Sequence, residues 1–102
     1  MTDSPTISTH VLDVEHGRPA AGIQVDLLHD GYSAGGGKTD SNGRIARLLD
    51  GDLLTGDYEI TFNLTGPFYR TARFTFRVDD VSRSYHIPLL LSPFGLTSYR
   101  GS

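Results

Sequence analysis

The sequence predicts an all-β protein, a sandwich of about seven short strands. Two observations predict it. Apolar residues recur mostly at every second position, the period at which successive side chains point to opposite faces of a strand. Clusters of Gly, Pro, Asn and Asp punctuate these stretches at short intervals, as they do between the strands of a sandwich.

The first strand is "ISTHVLDV", followed by the turn sequence "HGRPAAG". "GIQVDLLH" is the second, and "DGYSAGGGKTD" after it reads as a loop. "TDSNGR" is a turn, because Asn-Gly tolerates positive φ at both positions, and it delivers a third strand, "RIARLL". "LLDGDLLTGD" has room for a short helical turn. The clearest alternation follows in "DYEITFNL", where Tyr58, Ile60, Phe62 and Leu64 share one face. After "TGPFYRTA", "ARFTFRV" repeats it, with Phe74, Phe76 and Val78 inward and Arg73, Thr75 and Arg77 outward. "YHIPLLL" and "LTSYR" complete the set. Pro88 removes a ladder donor, which places "YHIPLLL" at a sheet edge or a bulge. Leu89, Leu90, Leu91 and Phe94 together are more apolar surface than one small sandwich readily hides, so a homo-oligomer that buries them is expected.

At 102 residues the chain is read as one domain, 1–102, able to withdraw roughly 60–65% of its unfolded surface from water. A formal charge of -3 with scattered Lys and Arg argues against nucleic acid as a partner. No apolar run approaches the roughly 20 residues of a membrane span. The opening "MTDSPTISTH" has neither a basic nor an apolar signal segment, and there is no cysteine. Both favour a cytoplasmic protein without thiol chemistry, disulfides or cysteine-held zinc.

Several short motifs read as ordinary structure. "GGGKT" is not a phosphate loop, since the position that needs the first glycine is Tyr32. "DSNG" lacks the spacing and closing Glu of a calcium loop. "NLT" at Asn63 matches a glycosylation sequon, which has meaning only for a secreted chain. The four histidines, His10, His16, His29 and His86, lack the i,i+2 or i,i+4 pairing that a metal favours. His16 and His29 sit at turn edges and read as surface residues. His10 and His86 each interrupt an apolar strand, sharing a face with Leu12 and Leu90 respectively. Periodicity alone favours a hydrogen-bonded core role for them over a site role.

Four stretches together, "STHVLDVEHGRPAAG", "TDSNGRI", "YHIPLLLSPFG" and the last four residues "YRGS", resemble the 5-hydroxyisourate hydrolases, also called transthyretin-related proteins. The resemblance spans nearly the whole chain. It implies a transthyretin-like (prealbumin-like) sandwich of two antiparallel sheets with seven to eight strands, and a homotetramer built as a dimer of dimers with active sites in the grooves between dimers. It implies hydrolytic ring opening of 5-hydroxyisourate to the ureido-imidazoline carboxylate on the route from urate to (S)-allantoin, without metal or organic cofactor. Carried over residue by residue, it singles out His10, Arg44, His86 and Ser102 as catalytic and His10, Arg44, Tyr99, Arg100 and Gly101 as substrate-binding. Two imidazoles suit proton transfer near neutral pH. A fork-shaped, permanently charged guanidinium suits carbonyl and enolate oxygens. In this picture Tyr99 bounds the ring, Gly101 permits close backbone approach and Ser102 offers its hydroxyl and terminal carboxylate.

The chain departs from the family where "TGPFYRTA" replaces a longer segment with a short helix, so the peripheral helix is expected to be short or missing. Leu96 also stands where an aromatic is common. The competing readings are a transthyretin-like carrier of a small ligand, without catalysis, and a structural sandwich that assembles with a partner.

Overall fold

The computed structural model describes residues 4–101. Nine strands follow in order: β1 (Ile7–Asp13), β2 (Arg18–Pro19), β3 (Gln24–His29), β4 (Tyr32–Lys38), β5 (Arg44–Ile45), β6 (Gly56–Asn63), β7 (Thr71–Val78), β8 (Tyr85–Ser92) and β9 (Gly95–Ser98). Among the described residues there is no helix, and so none long and apolar enough to cross a membrane. One sheet runs β2-β1-β8-β9, with β5 also on β1; the other runs β4-β3-β6-β7.

The alternation in the sequence becomes the core. Ile7, Val11, Ile87 and Leu89 of the first sheet face Val25, Leu27, Tyr58, Ile60 and Phe62 of the second, all buried. Each such side chain contributes on the order of 1.5–3 kcal/mol by leaving water. Thr9 joins them because its hydroxyl donates to the Ile87 carbonyl at 2.6 Å, which satisfies a polar group that would otherwise be costly to bury.

Four expectations are corrected. First, the sheets are not both antiparallel: β1 and β8 pair in parallel, from Ile7↔Tyr85 to Asp13↔Leu91. The whole second sheet lies between them in sequence, the long crossover that parallel neighbours require. Second, β8 is no edge strand, since β1 flanks it on one side and β9 on the other. Pro88 is tolerated because its absent N–H would point at β9, whose pairing stops at Leu89↔Ser98. The chain rejoins β8 only at the bridge His86↔Gly101. Ser98 Oγ donates to the Pro88 carbonyl at 2.8 Å, so the carbonyl keeps a partner in the gap.

Third, the glycine run read as a loop is strand β4, paired with β3. A Cβ on Gly35 would collide with the Leu48 carbonyl oxygen, where the chain crosses between sheets and Gly36 N donates to that oxygen at 3.1 Å. The glycines admit a crossing backbone, and they carry no side-chain period to read. Fourth, "RIARLL" keeps strand geometry only at Arg44–Ile45, and "LLDGDLLTGD" forms no helical turn; Leu48, Leu49 and Leu53 enter the core instead. His29 also differs from its surface reading. Its ring stacks on Tyr58 at 4.4 Å, with Nε2 2.9 Å from the Thr55 carbonyl. Of the late apolar run, Leu89 is fully buried, whereas Phe94 is 72% exposed.

The crossing at Gly35 is the tightest approach in the second sheet. Gly35→Ala is expected to lower stability by about 2 kcal/mol or more. Urea unfolding with an unchanged m-value and a wild-type midpoint would contradict this.

Candidate active site

The outer face of the first sheet gathers the sequence's candidate residues. Successive residues of a strand alternate faces, so Ser8, His10 and Leu12 lie opposite to the buried Ile7, Thr9 and Val11. In the parallel register Ser8 is opposite His86 and His10 opposite Pro88, which makes the two histidines diagonal neighbours on that face. Across the other edge of β1, Arg44 is the partner of His10.

Arg44 is delivered by the turn before it. Asp40 Oδ1 accepts from the N–H groups of Asn42 and Arg44, both at 2.9 Å, and the Asp40 carbonyl accepts from Gly43 N at 2.9 Å. The Arg44 N–H, opposed by desolvation and reinforced by the Asn42 N–H, holds the Asp40 carboxyl below its ordinary value. Gly43 sits at φ +75°, and a Cβ there would strike the Val11 carbonyl oxygen, so the turn needs glycine for both reasons. This Asn-Gly turn joins β4 of one sheet to β5 of the other, and its product is the placement of a guanidinium beside an imidazole.

His86 is half-buried, and its Nδ1 lies 2.8 Å from Ser8 Oγ. Burial, then the positive charge of Arg44, then His10, hold its pKa below the ordinary 6.5, with a main-chain hydrogen bond to Ser8 opposing them. Burial and the neighbouring positive charge thus favour the neutral imidazole, which has a lone pair to offer. Ser8, Thr9, Arg44, Ile45, Ala46, Ser84 and His86 line an open groove of about 390 Å³. Ser8 and Ser84 were not singled out from sequence. Only the two-residue spacing of Ser8 from His10 hints at a shared face, and the strand register that brings it to His86 has no local signature.

The tail divides between two faces. Gly101 N donates to the His86 carbonyl at 2.8 Å, and a Cβ on Gly101 would lie 2.6 Å from His86 Cδ2, so the terminal backbone rests on the imidazole ring. Strand β9 ends at Ser98, and beyond it Tyr99 and Arg100 line a pocket with Phe74, Phe76, Tyr85 and Ile87. Tyr99 is 54% exposed. The Arg100 guanidinium carbon lies 4.4 Å over the Tyr85 ring, a cation–π contact. The structure thus brings His10, Arg44, His86 and the Gly101 backbone to one face, and it sets Tyr99 with Arg100 in the pocket beside Tyr85. Ser102 lies outside the described residues.

Away from the groove, Asp13, Glu15 and His16 place ligand atoms within 4.8 Å of one another. This is a capped turn: Asp13 Oδ1 accepts from the N–H groups of Glu15 and His16, and Oδ2 pairs with His16 Nδ1 at 2.8 Å.

Comparison with known proteins adds a family to this geometry. Residues 7–101 match the model of the HIUase/Transthyretin family. The 5-hydroxyisourate hydrolase of Deinococcus radiodurans is 35% identical, with 100% of both chains covered. The solved structure of Klebsiella pneumoniae 5-hydroxyisourate hydrolase superposes with a TM-score of 0.87 at 33% identity, over 96% of this chain and 99% of that one. Sea bream transthyretin in complex with thyroxine superposes with a TM-score of 0.84 at 26% identity, over 93% of each chain.

The contact between Gly101 and the imidazole predicts a local effect. In Gly101→Ala the His86 ring resonances move, because ring or tail must yield, while the melting temperature falls by less than about 4 °C. Unchanged His86 resonances would show that the ring bears no such contact.

Proposed function

The chain belongs to the HIUase/Transthyretin family, and on that premise we propose that it is a 5-hydroxyisourate hydrolase acting as a single domain over 1–102. The observation that carries the reading is the convergence of His10, Arg44 and His86 on one outer sheet face, with the Gly101 backbone against His86.

The chemistry follows from what each group can do there. Ring opening needs a water molecule to add to a ring carbonyl carbon. A neutral histidine removes the proton from that water as the new C–O bond forms, and the depressed pKa of His86 suits it to the task. Charge then grows on the carbonyl oxygen, where Arg44 supplies fixed N–H donors and a full positive charge. Collapse of the adduct breaks the ring C–N bond, and the leaving nitrogen takes the proton back; the carboxylic acid left on the opened arm then releases its own proton to solvent and becomes a carboxylate. His10, diagonal to His86 and opposite Arg44, exchanges protons with the groove or orients the water. Tyr99 bounds the planar ring, and Ser102 contributes its hydroxyl. Arg100 acts from the far side of the sheet by holding the tail through Tyr85.

We assign the working form to a homotetramer, a dimer of dimers, because the groove is open and the outer face carries the half-buried Leu12 and Leu90 beside its polar groups. The cysteine-free composition supports a reducing compartment, the cytoplasm. A transthyretin-like carrier without catalysis is the alternative, and the imidazole pair beside a guanidinium is a poor lining for an apolar ligand.

One assay separates the two. With 5-hydroxyisourate generated from urate by urate oxidase, its near-ultraviolet decay accelerates on adding this protein, with an acid limb whose apparent pKa lies below 6.5, the ordinary value for His86. Arg44→Ala lowers turnover by about 10² or more. Unchanged decay with the wild-type protein leaves the carrier reading standing. In sedimentation at micromolar concentration the species expected is a tetramer of the 11.1 kDa chain; a monomer would refute the assembly.

A further inference from the structure

Of the hydroxyls that line the groove, that of Ser8 touches a histidine. Ser8 stands directly opposite His86 in the parallel register, and its Oγ is 2.8 Å from Nδ1. Among the described residues Nε2 of His86 has no hydrogen-bond partner. One ring nitrogen is therefore held by the Ser8 hydroxyl, while the other has no such partner.

A neutral imidazole carries its proton on one nitrogen and its lone pair on the other, and the partner of one decides the task of the other. A hydroxyl can accept from a ring N–H or donate to a ring lone pair, and a base that works through the other nitrogen needs the first arrangement. We propose that Ser8 is a positioning residue for the hydrolysis: it fixes neutral His86 as the Nδ1–H tautomer, donating to Ser8, so that Nε2 presents its lone pair to the water in the groove. This rests on the hydrolase reading, which asks for a lone pair on the nitrogen that Ser8 does not hold. It also selects His86 over His10 as the base, since no comparable fixed oxygen holds the ring of His10 among the described residues.

The test pairs spectroscopy of the free protein with kinetics. In ¹⁵N-histidine-labelled protein above the His86 pKa, long-range ¹H–¹⁵N correlation shows the Nδ1–H pattern for His86 in the wild type and in Ser8→Thr, which keeps a hydroxyl. Ser8→Ala shifts His86 toward the Nε2–H form and lowers kcat by roughly 10-fold to 10²-fold with KM little changed. Ser8→Thr restores most of the rate. An Nε2–H pattern in the wild type overturns the proposal, as does a Ser8→Ala variant with wild-type kcat. Should Ser8→Ala fail to fold, the wild-type tautomer and the Ser8→Thr rate decide it. A wild-type protein with the Nδ1–H pattern that leaves 5-hydroxyisourate decay unchanged would sink the hydrolase reading and leave the tautomer assignment intact.

Discussion

The in-register parallel pairing of β1 with β8 is the constraint on which the rest of this molecule depends. It runs seven residue pairs deep through the middle of one sheet, and the alternation of strand side chains makes it serve two ends at once. On the inner side it aligns Ile7, Thr9 and Val11 with Tyr85, Ile87 and Leu89 for burial. On the outer side it aligns Ser8 and His10 with His86 and Pro88. A slip of one residue would exchange the two sets, exposing the core and burying the imidazoles. The hydrophobic core therefore fixes the position of the site to within a strand register, and the polar groups need contribute little to placing themselves.

The same sheet face concentrates groups of one charge sign, which a stability argument alone would not favour. Arg44 stands beside His10 and raises the cost of protonating His86. The penalty falls only on the charged form of the imidazole, so a permanent cation placed there keeps a neighbouring base unprotonated. Asp40, whose carboxylate caps the Arg44 turn, supplies a compensating negative charge on the solvent side. Placement of the guanidinium and depression of the imidazole thus come from one short segment, residues 40–44.

Much of this was legible in the sequence, and what was not has a physical cause. The alternation in Tyr58–Leu64 and Phe74–Val78 identified inward faces that the structure buries or half-buries, because side chains of full size leave a readable period. Strand β4 was invisible for the opposite reason: three glycines in succession have no side chains to alternate, and what they serve is a backbone crossing far away in sequence. His10 and His86 stood out as interruptions of apolar strands, yet periodicity favoured a core role, whereas both line the half-buried outer face. Pro88 was read by its missing donor as the mark of an edge or a bulge; the ladder is interrupted on the β9 side, but the strand is no edge, because a break on one side of a strand says nothing about the other. The parallel pairing, the approach of Ser8 to His86 and the turning of Arg100 toward Tyr85 all depend on contacts between residues distant in the chain, and no local pattern encodes them.

The gap that Pro88 leaves has a further meaning for how the molecule moves. Between Ser98 and Gly101 the final segment forgoes the regular ladder, and it is held to the sheet by one backbone bridge and one aromatic contact. Opening that latch breaks few interactions among the described residues, so local opening there costs a small fraction of the free energy needed to melt the strands beneath it. Protection of the backbone therefore falls from the β1–β8 ladder outward to the segment resting on His86, and the core is insulated from whatever happens at that edge.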